Sequence, residues 1–226
     1  MSQTKRKESQ NDGNSAEVAF LDAAELIFSE RGYAGTSMRA IAEKAKGNLG
    51  TLHYYFGSKE TLIKKTLERS LRPTLKKCSN ELEACWPKSD DELPDIDQIL
   101  KAYIQPTVDL TITASRFFDK LMLRMLNDPS PQIQTLFHQF FDETLFLFIR
   151  LLRKCNPQLS KEEFYWRLGS IMGSTQYMFT NRSDLIRLSH GQFSAEDTDQ
   201  WVEEIIYNIR NMYLAPSRFR EEKSEE

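Results

Sequence analysis

Cysteine, histidine and long apolar runs are scarce in this chain, and each shortage closes off a class of function. Its 226 residues include three cysteines, Cys78, Cys85 and Cys155. They are too few and too scattered for a disulfide framework or a zinc site, so free thiols in a reducing compartment are expected. The three histidines, His53, His138 and His190, stand apart from one another. No metal-ligand spacing, nucleophile elbow or phosphate loop accompanies them, so no catalytic residue, metal or cofactor is expected. The Gly-Asn-Leu-Gly stretch at 47–50 is no dinucleotide fingerprint, because no strand precedes it. No apolar run approaches the ~20 residues that span a bilayer. The most apolar run, 145–152, is interrupted by Arg150. The first 15 residues are polar, unlike a secretory signal, so a cytoplasmic protein without a membrane partner is expected. Strand patterns and internal repeats are also missing.

What is present is an ordinary soluble composition, 40% hydrophobic and 28% charged, with a net charge of −3. The charge is unevenly spread. Residues 1–72 carry 12 Lys+Arg against 9 Asp+Glu, and residues 73–226 carry 18 against 24. A mildly basic first third on an acidic body suits a protein that offers one part of itself to nucleic acid.

The most informative stretch runs from Thr36 to Glu60. Thr36 or Ser37 can cap a first short helix whose Met38, Ile41, Ala42 and Ala45 share one face. Lys46-Gly47-Asn48 breaks the pattern, with Gly47 expected to supply positive φ and Asn48 a new cap. In the second helix, 49–56, Leu52 and Phe56 form an inward i, i+4 pair. Thr51, His53, Tyr54 and Tyr55 point elsewhere, as a polar, aromatic surface that a core helix does not need. Two short helices joined by a small turn, the second presenting hydrogen-bonding tips, make a helix-turn-helix that can lay a helix in the DNA major groove.

The residues Thr36-Ser37-Met38-Arg39, Ile41-Ala42, Ala45, Gly50-Thr51-Leu52, Tyr54-Tyr55-Phe56, Ser58-Lys59-Glu60 and Leu62 resemble, in this order, the DNA-binding signature of the tetracycline-repressor (TetR) family. The similarity covers about residues 16–67. It departs at the turn, where the family's usual Ala-Gly-Val-Ser is Ala45-Lys46-Gly47-Asn48, and at His53, which replaces an aromatic. Both departures fall where base contacts would lie. The resemblance implies an all-α fold: an N-terminal three-helix DNA-binding domain and a C-terminal helical domain for effector binding and dimerisation, about nine helices in all. It also implies a transcriptional regulator, most often a repressor, that binds double-stranded, pseudo-palindromic operator DNA as a homodimer. Lys59 takes the position of a family lysine that contacts the DNA backbone.

The chain then divides into a basic arm at 1–14 with Lys5-Arg6-Lys7, expected to be disordered; a DNA-binding domain at 15–72; a helical domain at 73–216; and a charged tail at 217–226. Residues 15–31 read as an amphipathic helix ended by Gly32, with Glu25 on its outer face, and a long helix follows Ser58, continuing past Pro73 to about 85. Further helices are expected at 95–115, 116–127, 128–155, 160–180 and 195–214, with loops at 86–94 and 182–193.

Candidate DNA contacts are Thr36, Ser37, Arg39, Lys46 and Lys59 for phosphates, and Asn48, Gly50, Thr51, His53, Tyr54 and Tyr55 for the groove. The apolar stripes of the last two long helices, Phe164, Leu168 and Ile171 with Trp201, Ile205 and Ile209, are the candidate dimer interface. Beside them, Gly169, Ser170, Gly173 and Ser174 form a small-residue strip. Large soft side chains, Phe117, Phe118, Met122, Phe137, Phe141, Met172 and Met178, are candidates to line an effector pocket, although stripes of this kind also build cores. Arg116, Lys120 and Arg124 form a basic stripe that is either a solvated face or an anionic head-group site. The 116–131 and 166–174 segments resemble ligand domains of a family subgroup, some tied to lipid metabolism, which implies a small hydrophobic effector such as a fatty acid or acyl-thioester. A helical adaptor that binds only protein is the competing class; it leaves the outward Tyr54/Tyr55 surface and Lys59 unexplained.

Overall fold

The computed structural model describes residues 2–89, 91–113, 117–194 and 197–217, with side chains described from Ser15 onward except at 111–113, 118, 119 and 182. Among the described residues there are ten helices and no strand: α1 (Ser2–Arg31), α2 (Met38–Lys44), α3 (Leu49–Phe56), α4 (Lys59–Ala84), α5 (Ile96–Thr113), α6 (Phe118–Leu126), α7 (Pro131–Cys155), α8 (Lys161–Thr180), α9 (Arg182–Leu188) and α10 (Thr198–Leu214). The expected helices are present, with two differences. Helix α1 begins at Ser2 instead of residue 15; extending a helix adds one hydrogen bond per residue without a new nucleus, and no proline stops it. The side chains of the Lys5-Arg6-Lys7 arm, and the tail from 218, lie outside the described residues. Helix α9 falls in an expected loop. It is a single polar stretch with an i, i+3 Asp184–Arg187 ion pair at 3.3 Å and no long apolar stripe to announce it.

The chain forms two compact units, Met1–Pro73 with Ala114–Phe141, and Thr74–Thr113 with Asp142–Glu226. The segment 114–141 thus packs with the N-terminal helices instead of belonging to one continuous 73–216 body. Pro73 lies inside α4 without ending it.

In the first unit, Phe20, Ala24, Ile27 and Phe28 of α1 meet Ile41, Leu52, Phe56, Leu62, Ile63 and Leu67, all buried. Gly32, at φ 69°, closes α1, and its N–H donates to the Phe28 carbonyl at 2.9 Å. Glu25, expected outside, is buried. Arg69 of α4 makes this tolerable, donating to Glu25 Oε2 at 2.9 Å and to Asp22 at 2.7 Å. From α6, Arg124 donates to the carbonyls of Ser29 (2.6 Å) and Glu30 (2.7 Å), satisfying acceptors that the end of α1 leaves orphaned.

The turn between α2 and α3 differs from expectation in one respect. Helix α2 ends in a Schellman closure: Lys46 N–H donates to Glu43 O (3.1 Å) and Gly47 N–H to Ala42 O (2.9 Å). The left-handed residue is Lys46 (φ 54°), not Gly47. Gly47 is required for a different reason. A Cβ there would lie 2.5 Å from the Phe20 ring, which is itself buried. The glycine therefore lets α1 press against the elbow of the helix-turn-helix.

The second unit is built on Ile99, Leu100, Val108, Phe148, Leu151, Phe164, Ile171, Trp201, Ile205 and Ile209, with Tyr103 stacked on Phe148 at 4.1 Å. Ser160 caps α8, its Oγ accepting from Glu163 N–H, and Asp197 caps α10. Beneath the end of α10 lies a buried ion pair. Arg167 donates to Glu163 Oε1 at 2.5 Å, to the Tyr213 carbonyl, and to Pro216 O at 3.2 Å; Ser217 closes on Glu163 Oε2. All three cysteines are free, and burial pushes the Cys78 thiol up to about 12 and Cys155 to about 11, which disfavours their thiolates.

Substitutions at two sites test this packing. Arg167→Ala removes the cation paired with the buried Glu163 carboxylate and the donor to two carbonyls, and urea denaturation will register a loss of about 3–5 kcal/mol. Glu163→Leu combined with Arg167→Met loses less than Arg167→Ala alone. Gly47→Ala drives a methyl into the Phe20 ring and costs about 1–3 kcal/mol. Adding Phe20→Leu to Gly47→Ala should give a less than additive loss; additive losses would contradict the contact.

Candidate nucleic-acid interface

Helices α2 and α3 expose the surface that the sequence singles out. Ser37, not Thr36, is the N-cap of α2, its Oγ accepting from Ala40 N–H at 3.2 Å. Arg39 stands outward at 82% side-chain exposure, ion-paired to Glu43 at 3.1 Å. Asn48 caps α3, with Oδ1 accepting from Gly50 N–H at 2.6 Å, so its amide N–H groups remain free to donate outward. Gly50 and Thr51 are exposed in the first turn. A Cβ at Gly50 would come 3.0 Å from the capping Asn48 oxygen, so the glycine accommodates the cap as well as leaving the surface low.

Leu52 and Phe56 bury the inner face of α3 at 0% and 2% exposure, which fixes the rotation of the helix. Tyr54 is then 85% exposed, an unusual state for a large aromatic in a folded chain. Tyr55, half-buried, packs edge-on to Tyr54 at 5.6 Å and against Phe20 at 6.4 Å, which gives Tyr54 a firm backing. His53 Nδ1 lies 2.8 Å from the Gly57 carbonyl. A carbonyl only accepts, so Nδ1 is the donor in this contact, and Nε2 is left as the ring nitrogen that faces outward.

Two of the expected contact residues are also held by the scaffold. Thr36 is only 3% exposed, and its hydroxyl donates to Gly32 O at 2.7 Å, so its side chain is part of the scaffold. Lys59 opens α4, in the first turn, where a cation opposes the helix dipole. Its Nζ donates to the carbonyls of Tyr33 and Thr36, both at 3.0 Å, and sits 4.2 Å from the Tyr33 ring centroid. The lysine therefore ties the α1–α2 loop to α4, with one of its three N–H donors left over. Beside it, the Tyr33 hydroxyl donates to Glu60 Oε1 at 2.5 Å, which holds the Glu60 carboxyl below its usual range. A lowered carboxylate pKa stabilises the fold at neutral pH, and that contribution fades only as pH falls through the lowered value.

The remaining candidates are dispersed. Phe117, Met122, Phe137 and Phe141 are half-buried in the first unit, with Phe137 stacked on Phe141 at 4.3 Å; Met172 and Met178 pack on the core of the second. The Phe118 side chain and Arg116 lie outside the described residues. An open groove of about 440 Å³ in the first unit is lined by Tyr33, Glu60, Ile63, Pro131, Ile133 and Leu136 among others, and by none of the six expected pocket residues whose side chains are described. Arg124, part of the expected basic stripe, is engaged on the end of α1 and leaves the head-group reading.

Phe164, Leu168, Ile171, Trp201, Ile205 and Ile209, expected at a dimer interface, are buried at 8% exposure or less within the unit's own core. Their stripe is the inner face of α8 and α10. The outer face of α8 instead exposes Trp166 (68%), Tyr165 and Tyr177, together with Gly169 and Gly173, where an added Cβ would meet nothing. Arg124 and Arg69 were not singled out by sequence reasoning for these roles, because their partners are 94 and 44 residues away; Arg167 pairs with Glu163 one helical turn back, but the Tyr213 carbonyl that it also holds is 46 residues away.

Among the described residues no helix is long and apolar enough to cross a membrane, and no cluster of side chains suits a metal ion. A search of curated proteins finds no significant match to the sequence. The fold recurs in solved structures. A TetR-family transcriptional regulator from Bordetella parapertussis is 17% identical with a TM-score of 0.60, covering 88% of this chain and 94% of that one. The hemolysin II transcriptional regulator HlyIIR is 20% identical with a TM-score of 0.54, covering 87% and 97%. A candidate fatty acid metabolism regulator from Clostridium perfringens is 21% identical with a TM-score of 0.59, covering 86% and 96%. At these identities the likeness concerns the fold. The sequence itself matches two family models, bacterial regulatory proteins of the tetR family over residues 20–66 and the tetracyclin repressor-like C-terminal domain over residues 101–209. With the helix-turn-helix that the first model spans now in view, the chain belongs to the tetracycline-repressor family of DNA-binding transcriptional regulators.

Proposed function

We propose that this protein is a homodimeric repressor that reads a pseudo-palindromic operator with α3 and leaves it when a small hydrophobic effector binds. The observation that carries the reading is the exposed face of α3: Asn48, Thr51, His53 and Tyr54 lie outward on a helix whose rotation Leu52 and Phe56 fix. Asn48 N–H and Tyr54 O–H can donate to base acceptors, His53 Nε2 can accept from an adenine or cytosine amino group, and the Thr51 methyl can meet a thymine methyl. Ser37, Arg39 and the spare Lys59 donor serve phosphates and set register.

One such helix makes too few contacts for specific binding, and two held ~34 Å apart match one turn of DNA. The exposed aromatic and glycine face of α8 is the surface proposed for the partner. Trp166 and Tyr165 are large, amphipathic anchors, and Gly169 and Gly173 let a second helix approach closely. For the effector we propose the fatty-acid or acyl-thioester class. The half-buried Phe117, Met122, Phe137 and Phe141 suit an apolar chain, and the similarity to a candidate fatty acid metabolism regulator supports the same class. The effector favours a dimer whose reading heads no longer match the operator, with a coupling of roughly 1–3 kcal/mol.

A mobility shift on a duplex spanning the region upstream of the protein's own gene, against random-sequence competitor, tests the reading, and acyl-thioesters should release the shift. Tyr54→Ala will weaken specific binding roughly tenfold or more and leave random-sequence binding nearly unchanged. Equal losses on both duplexes would remove Tyr54 from base readout. Trp166→Glu will turn the dimer into monomers in sedimentation without lowering monomer stability; a dimer that persists moves the two-fold away from α8.

A further inference from the structure

Lys46 occupies the one non-glycine left-handed position of the helix-turn-helix, at φ 54°. That slot closes α2 through the Lys46 N–H to Glu43 O and Gly47 N–H to Ala42 O bonds, and helices usually give it to glycine or asparagine. For a residue with a Cβ the conformation is intrinsically unfavourable. The adjacent glycine cannot relieve it, because Gly47 is held by the Phe20 ring, where a Cβ would come within 2.5 Å. Nothing in the packing asks for a lysine at 46. Its side chain is exposed and, among the described residues, has no hydrogen-bond, ion-pair or ring partner. Arg39 is held by Glu43 and Lys59 by two carbonyls, and the exposed Lys44 sits in ordinary helical backbone, so only Lys46 combines a solvent-facing ammonium with a left-handed backbone. A strained conformation that the surroundings impose and the fold does not use points to a use outside the fold.

Resting on the DNA-binding reading above, we infer that Lys46 is a strained phosphate clamp. The turn holds its ammonium against the DNA backbone beside the groove that α3 enters, and the protein accepts a less stable turn in return for a tighter complex. The contact is electrostatic and carries no sequence information. It accounts for the departure of this turn from the family pattern as a gain in affinity, with no change in the bases read. The inference requires stability and binding to move in opposite directions, which a purely structural role does not produce.

The test uses the full chain with Lys46→Gly, Lys46→Asn and Lys46→Arg, on the upstream duplex and on a random-sequence duplex across a salt series. Lys46→Gly should raise the melting temperature by about 2 °C while weakening both duplexes roughly fivefold per contact at about 0.15 M salt. The slope of log affinity against log salt should fall by about one per contact, with discrimination between the duplexes preserved. Lys46→Asn should behave like Lys46→Gly in binding, and Lys46→Arg should rescue affinity and slope. If wild type binds the upstream duplex specifically but Lys46→Gly binds both duplexes with unchanged affinity and slope, the clamp is wrong and the regulator reading stands. A Lys46→Gly protein that is less stable than wild type also overturns it, because the lysine would then serve the fold. If wild type itself ignores both duplexes at low salt, the DNA-binding reading fails and the clamp fails with it.

Discussion

The close approach of the Phe20 ring to Gly47 is the constraint on which the reading head depends. Phe20 also meets Tyr55 at 6.4 Å and Phe56 at 6.3 Å, so a single α1 side chain touches the elbow and the end of the reading helix. Because interiors are packed like crystals, this contact adds a tertiary restraint on the elbow between α2 and α3 to the turn's own hydrogen bonds. Around it, three cations act as ties. Lys59 holds the loop before α2, Arg69 neutralises the buried Glu25, and Arg124 caps the end of α1. A DNA-reading surface of few side chains needs such support, since a contact misplaced by an ångström is lost.

The same arrangement explains which basic residues remain for nucleic acid. A count of lysines and arginines in the first 72 residues overstates the charge on offer, because several are committed to carbonyls or carboxylates. Near the reading helix, Arg39, Lys44 and Lys46 stay outward, around a face that otherwise reads by neutral hydrogen bonds. That division suits a protein of negative net charge that must still hold DNA locally.

How much of this was legible in the sequence depends on distance along the chain. Caps and periodicity are local, so Asn48, Ser160 and the bounds of α3 could be read directly, as could the outward Tyr54 opposite Leu52 and Phe56. Long-range uses were not. Arg124 reads as one member of a basic stripe because Ser29 is 95 residues away, and Thr36 reads as a phosphate ligand until its burial is seen. Gly47 invites the assumption that a glycine in a turn supplies positive φ; only the position of Phe20 shows that it supplies space. The dimer stripes failed for a related reason. Periodicity finds the apolar face of a helix but cannot say whether that face meets its own core or a partner. In α8 the inner face holds Phe164 and Ile171, while the outer face mixes Trp166 with glycine and serine.

Amide hydrogen exchange of the full chain, free and saturated with the upstream duplex, tests the central claim most directly. If α2 and α3 read DNA on a scaffold that is already set, binding will slow exchange at residues 37–39 and 48–55 and leave the Phe20, Ile27 and Leu67 amides as slow as before. Protection that spares 48–55, or a core that becomes protected only when DNA arrives, would contradict a preformed reading head.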